Sequence, residues 1–420
     1  MANISQTLKF PIFTKVLRFG PGIPSNLDFM LRPLLFLIVF AISQACQAQA
    51  SSEPLPAAYQ VEEYLEILKG KRIAIVANQT STLRTSSGNN YTHLVDSLLS
   101  LGLDVKKVFA PEHGFRGQLD AGEKVEDQKD SKTGLPIISL YGKNKKPSSE
   151  QLNGIDLVVF DIQDVGVRFY TYISTLHYIM EACAENNIPL VLLDRPNPNG
   201  HYIDGPTLEP KFRSFVGMHP VPVVYGMTIG EYGLMINGEK WLEKGLQCEL
   251  SVIKLKGYDH TTPYDLPIKP SPNLPNSRSV NLYPSLCFFE GTTVSCGRGT
   301  EQQFQIFGSP DLPKYVFEFT FTPEPNFGSK YPKHQGQLCY GRNLENTDRL
   351  DAINLGWLIE AYENHEDKDS FFNDFFAKLA GTAELRKNIE NGVPFDVIRK
   401  QWEEDIEAFK ITRKKYLLYN

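Results

Sequence analysis

The sequence predicts an α/β fold, a parallel sheet with helices on both faces, joined to a smaller α+β carboxyl-terminal domain. Three observations predict it. Short apolar runs alternate with helical patterns, which implies right-handed crossovers and parallel strands. Each run ends in a polar, Gly- or Pro-rich cluster. Past a proline-dense break, the pattern changes to short strands and then helices.

The elements follow in order. Residues 72–77 are a first apolar run, closed by Asn78-Gln-Thr-Ser81. A helical pattern spans 93–101. The run 105–110 ends in Pro111-Glu-His-Gly-Phe-Arg-Gly117, and the run 136–140 in Tyr141-Gly142. A short helix is expected at 149–152. The run 155–160 reads as a buried parallel strand. Residues 170–186 read as a helix, and 189–193 as a strand ending in Asp194-Arg-Pro-Asn-Pro198. Thr228 and Glu231 form a capping box for a helix running toward Trp241. Residues 248–255 read as a further strand. Pro263, Pro267, Pro270, Pro272 and Pro275 then mark a boundary.

This gives a linker at 51–60, an α/β domain at 61–275 and a second domain at 276–420. The second opens with strands and turns through 288–300 and 315–321. Helices are expected at 351–362, 370–379 and 395–416. Ile398, Trp402, Ile406 and Phe409 share one face of the last helix.

Length and charge exclude several classes. The chain has 420 residues and a formal net charge of -6. It has no basic stripe with interleaved aromatics, so nucleic acid is not an expected partner. No Walker loop occurs, and no G-x-G-x-x-G follows the first strand, so nucleotide binding has no support. No cofactor or metal is expected from the motifs.

Residues 1–50 read as a targeting segment. The apolar stretch 31–41 is too short for a comfortable membrane span. Ala48-Gln-Ala50 fits a signal-peptidase site, and Met30 reads as the true start. The expected destination is the periplasm. Cys46 gives an alternative, a lipid-anchored cysteine. Of the five later cysteines, Cys183 reads as a buried small residue, and one disulfide among the other four is possible.

On a parallel sheet the polar clusters crowd onto the carboxyl edge, where such folds bind ligands. Glu112 is the first candidate there. A carboxyl at a strand end, walled by apolar residues, can serve as a general acid; the alternative is a loop salt bridge. His113 either meets ligand or bonds its own loop. Asn78, Gln79 and Arg116 join these clusters as binding candidates. Asp161 and Asp164 bracket Gln163 and suit acid/base work, metal ligation or helix capping; Gln163 and Asp164 are the better pocket candidates. Arg168 suits a bidentate carboxylate clamp, or a salt bridge to either aspartate. Tyr170 and Tyr172 stack on a sugar or pack on the sheet. Prolines hold Asp194, Arg195 and Asn197 in a rigid turn. Glu290 and Arg298 come from the second domain, Arg298 between two glycines.

Taken together, Asn78-Gln-Thr80, Pro111-Glu-His-Gly114, Asp161-Ile-Gln-Asp-Val-Gly-Val-Arg-Phe-Tyr-Thr-Tyr172, Asp194-Arg-Pro-Asn-Pro198, and Glu290-Gly291 with Gly297-Arg-Gly-Thr300 resemble the NamZ-type exo-β-N-acetylmuramidases. That family was formerly a domain of unknown function. The similarity covers nearly all of residues 70–420. It implies a Rossmann-like catalytic domain and a carboxyl-terminal domain that completes the cleft. It implies release of β-1,4-linked N-acetylmuramic acid from the non-reducing end of peptidoglycan fragments. The family's proposed catalytic glutamate maps to Glu112.

The residues agree with that expectation. N-acetylmuramic acid carries a lactyl carboxylate, so Arg168 or Arg298 is expected in its pocket. Glycosidases usually employ two carboxyls, about 5–5.5 Å apart when retaining and about 6.5–9.5 Å when inverting. Asp164 and Glu290 are candidates for the second; the substrate's own acetamido group is the alternative. Two other classes compete. One is a non-catalytic muropeptide or sugar receptor. The other is a metal-dependent amidase or esterase using Glu112, His113 and Asp161 or Asp164.

Overall fold

A computed structural model describes residues 53–85, 90–117 and 128–420. The expected targeting segment and Cys46 lie outside them. Twelve strands fall within the described residues. β1 (Arg72–Ala77), β4 (Asp104–Ala110), β5 (Gln128–Lys129), β6 (Pro136–Ser139), β7 (Leu157–Asp161), β8 (Leu190–Leu193) and β9 (Leu250–Ile253) make one sheet. Its order is β5-β6-β4-β1-β7-β8-β9. All neighbours are parallel except β5 against β6.

The sequence dictates the two-faced sheet. β1 reads Arg-Ile-Ala-Ile-Val-Ala, and five of its six residues are buried. Side chains alternate across a strand. Ala74 and Val76 accordingly join one apolar cluster, and Ile73, Ile75 and Ala77 join another. β7 divides the same way, with Val158 and Phe160 on one face and Leu157 and Val159 on the other. Helices Leu94–Ser100 and Tyr172–Glu185 each bury an apolar stripe.

The chain lays β1, β4 and β6 outward on one side, then returns to β7 and moves the other way. The order therefore reverses between β1 and β7. Crevices open at such a point, beyond the carboxyl ends of the strands.

The larger cluster continues past residue 275. Val158 and Phe160 share it with Leu282, Phe288, Phe304 and Trp402. The proline-dense segment thus crosses one apolar core. After it comes a helix, Ser277–Leu286, where strands and turns were expected. Its start is fixed by a capping box between Asn276 and Ser279, and Pro284 lies inside it. The antiparallel sheet β10 (Ile306–Ser309), β12 (Cys339–Asn343), β11 (Phe319–Phe321) follows.

The expected helix at 395–416 is two, Phe395–Lys400 and Glu403–Lys414. That at 370–379 is also two, Lys368–Phe371 and Phe375–Ala380. A hairpin, β2 (Thr82–Arg84) with β3 (Tyr91–His93), was not expected at all. The possible disulfide is absent: Cys183, Cys248, Cys287, Cys296 and Cys339 are all free and buried.

Candidate active site

The site grows from the end of β4. Pro111 follows the strand, and Gly114 N–H returns to Pro111 O over 3.0 Å. His113 takes φ 69° and Gly114 φ 75°. Left-handed backbone at a histidine is uncommon, and here it closes a tight turn that points Glu112 outward. His113 itself is buried.

Glu112 meets groups from two other strand ends. Thr171 Oγ1, at the N-cap of the helix after β7, donates to Glu112 Oε2 over 3.1 Å. Tyr141, just after β6, lies close enough for the Glu112 charge to act on its phenol. Burial, then the Glu112 charge, pushes the Tyr141 phenol above its ordinary value, while Arg298 pulls it back. Tyr141 thus senses both charges.

Glu112 and Thr171 line a cleft that, counted with its open mouth, holds about 420 Å³. Glu112, His113 and Thr171 form one side with Phe169, Tyr170 and Tyr172. The segment after residue 270 adds Ser271, Asn273 and Leu274; the carboxyl-terminal half adds Tyr283, Arg298 and Phe304. Among the described lining residues, Glu112 is the one carboxyl group.

Arg298 sits between Gly297 (φ 82°) and Gly299 (φ 80°). Glu290 accepts from its Nε over 2.8 Å and its Nη2 over 3.2 Å. Its guanidinium lies 5.3 Å from the Phe304 ring centroid. The Nη1 edge makes no hydrogen bond among the described residues, so it can receive an anion. Burial would raise the Glu290 carboxyl, but Arg298, with Lys333 and Cys296, outweighs it and holds Glu290 below its ordinary value. Glu290 is thus an ionised counter-ion to Arg298. That arrangement does not supply a proton.

Tyr170 and Tyr172 line the cleft, and Asn78 and Gln79 are brought near it. Tyr170 and Tyr172 pack edge to face, 4.8 Å apart, and both donate to Pro270 O, over 2.7 and 3.3 Å. Asn78 donates to Tyr172 Oη over 2.8 Å and is buried. Gln79 Nε2 donates to Lys269 O and Pro270 O over 3.2 and 3.1 Å. These bonds fix the 269–273 wall of the cleft to the ends of β1 and β7.

The remaining candidates stand apart. Arg168 is fully buried, and Nη1 and Nη2 donate to Pro206 O, Val221 O, Leu379 O and Ala380 O over 2.7–3.0 Å. The expected carboxylate clamp at Arg168 is therefore corrected: four backbone carbonyls take its Nη donors, and its buried Nε has no hydrogen-bond partner among the described residues. Asp164 is sealed behind Tyr170 and Tyr172, accepting from Tyr225 Oη and Gly166 N. Gln163 Nε2 donates to Asp164 O and Pro196 O. Arg195 pairs with Asp161 over 2.6 and 2.9 Å. Asp194 accepts from Thr228 Oγ1, Gly230 N and Tyr419 Oη, and Asn197 donates to Met227 O. Arg116 pairs with Asp96 and Asp130. All eight hydrogen-bond to protein groups, as buried polar residues generally do, although Asp164 Oδ1 and Arg168 Nε stay without a partner among the described residues.

Tyr141 and Thr171 were not singled out from sequence. Their signal was only their position: each follows a strand or opens a helix at the same sheet edge as Glu112.

Residues 73–278 match the family model described as exo-beta-N-acetylmuramidase NamZ, N-terminal, and residues 281–419 match its C-terminal counterpart. The chain is 40% identical over 378 residues to the peptidoglycan beta-N-acetylmuramidase NamZ of Bacillus subtilis strain 168, covering 85% of this chain and 89% of that protein. Two solved structures of DUF1343 family proteins from Bacteroides fragilis NCTC 9343 share the fold. One has a TM-score of 0.81 at 47% identity, the other 0.74 at 29%, and each match covers 88% of this chain and 99% of the other. The chain belongs to the NamZ family of exo-beta-N-acetylmuramidases.

Proposed function

We infer that this chain is an exo-β-N-acetylmuramidase, hydrolysing the β-1,4 bond of a non-reducing terminal N-acetylmuramic acid in peptidoglycan fragments. The observation that carries this reading is that Glu112 and Arg298 line the same cleft. Glu112 is the acid/base that protonates the departing sugar oxygen. Thr171 fixes its carboxyl group, with the Tyr141 phenol close by. Arg298, steadied by Glu290, receives the lactyl carboxylate, the group that sets muramic acid apart from glucosamine.

Export to the periplasm is part of the same reading. It rests on the apolar stretch 31–41 and the Ala48-Gln-Ala50 site in the sequence. Cell fractionation with and without residues 1–50 tests it.

Incubating the purified protein with a muramic acid–glucosamine disaccharide tests the activity. Free N-acetylmuramic acid should accumulate, with or without a chelator. Tight binding with no turnover would point instead to a receptor, and chelator-sensitive cleavage to a metal enzyme.

A further inference from the structure

Residues 323–336 take no part in the chemistry above, yet they are built onto the cleft. Gly336 N–H donates to Pro323 O over 2.8 Å and closes the base of the loop. Glu324 N–H donates to Gly299 O over 2.8 Å, and Asn326 Nδ2 to Thr300 O over 3.0 Å. The loop therefore rides on the Arg298 turn. At its tip, Asn326 and Ser329 exchange backbone bonds of 3.1 Å. Asn273, a cleft-lining residue, donates to Gly328 O from Nδ2 over 2.7 Å. Lys333 Nζ anchors the far end on Phe289 O and Thr292 O, over 2.8 and 2.7 Å.

This fixed loop exposes two aromatic rings, Phe327 at 59% and Tyr331 at 89%. Aromatic rings this exposed on a rigid support gain little for folding. On a loop bonded to the cleft-lining Asn273 and to the Arg298 turn, they offer a surface for a ligand.

We propose that Phe327 and Tyr331 form the stacking surface for the sugar that follows the muramic acid residue. The proposal rests on the muramidase reading. An enzyme that removes an outermost residue leaves the next ring outside its pocket, at the mouth. A neutral glucosamine-type ring has hydroxyls at its edge and C–H groups on its faces. Those faces fit an aromatic ring that offers apolar area and no charge.

The test compares the wild type with Phe327→Ala, Tyr331→Ala and the double variant. Two quantities are measured: KM for the disaccharide, and inhibition by free N-acetylmuramic acid, which fills the pocket alone. Melting temperatures check folding. The proposal expects KM to rise about 3- to 10-fold in the double variant with inhibition unchanged. An unchanged KM overturns it. So does an equal loss in both measurements, which would put the rings inside the muramic acid pocket. A loss seen only with substrates carrying peptide stems overturns it too, because the occupant is then the peptide. If the wild type cleaves no disaccharide, it is the muramidase reading that fails, before any variant is compared.

Discussion

The Thr171 hydroxyl donates to Glu112 Oε2 over 3.1 Å, tying the loop after β4 to the helix that follows β7. Loops at two strand ends thereby fix one carboxyl group in a cleft. Glu112→Gln keeps the shape and removes the transferable proton. Turnover of the disaccharide should fall by about 10²- to 10⁴-fold, with the melting temperature unchanged. Turnover within a few-fold of wild type would remove Glu112 from the acid role.

Thr171→Val deletes the donor to that carboxylate, and Tyr141→Phe the phenol hydroxyl its charge acts on, without removing a branch or a ring. Misplacement should cost the chemical step more than binding. We expect kcat to fall about tenfold in each, with KM nearly unchanged. A rise in KM at constant kcat would mean these groups hold substrate rather than Glu112.

The two arginines separate selectivity from stability. Arg298→Ala should lower the preference for muramic acid over glucosamine substrates by about 10- to 100-fold, the worth of a hydrogen-bonded charge. Arg168→Met should leave that preference alone, because Arg168 meets only backbone carbonyls. It should instead lower unfolding free energy by about 3 kcal/mol or more, since buried acceptors lose their donors. Side-by-side kinetics and urea melts distinguish the two.

How much of this could be read from the chain differs by residue. The apolar runs, with their polar ends, placed Glu112, Tyr170 and Tyr172 at one sheet edge, because a parallel sheet leaves its loops nowhere else to go. Sequence could not say which way each polar side chain turns. Arg168 and Arg298 look alike in one dimension; only packing puts carbonyls around the first and an open edge on the second. The helix Ser277–Leu286 was hidden by its own Pro284 and the prolines before it. The division at residue 275 followed composition, whereas the core that joins Phe160 to Phe288 is visible only in three dimensions.

Asp164 gives a pH-dependent test. Burial pushes its carboxyl up to about 6 from 3.8, against the hydrogen bonds of Tyr225 and Gly166. The folded state therefore holds this proton more tightly than the unfolded chain. The resulting stability is complete below about pH 4 and is lost as pH rises to about 6, by about 3 kcal/mol in all. Asp164→Asn should flatten the stability curve across that window. A wild-type-minus-variant difference that does not change between pH 4 and 6 would refute the assignment.

Asp161 and Arg195 supply the last prediction. They end adjacent parallel strands, β7 and β8, and meet at 2.6 and 2.9 Å with no solvent at Asp161. Arg195 also donates to Thr82 O over 3.2 Å, so the pair pins the β2 hairpin behind the sheet edge. Arg195→Met strands a carboxylate in the core and should cost about 3–5 kcal/mol. Asp161→Asn combined with Arg195→Met removes the stranded charge and should recover a large part of that loss. Urea denaturation of the single and double variants completes the cycle. If the double variant is as unstable as the two single losses added together, the pair is not coupled and its role as a clamp on the strand ends is wrong.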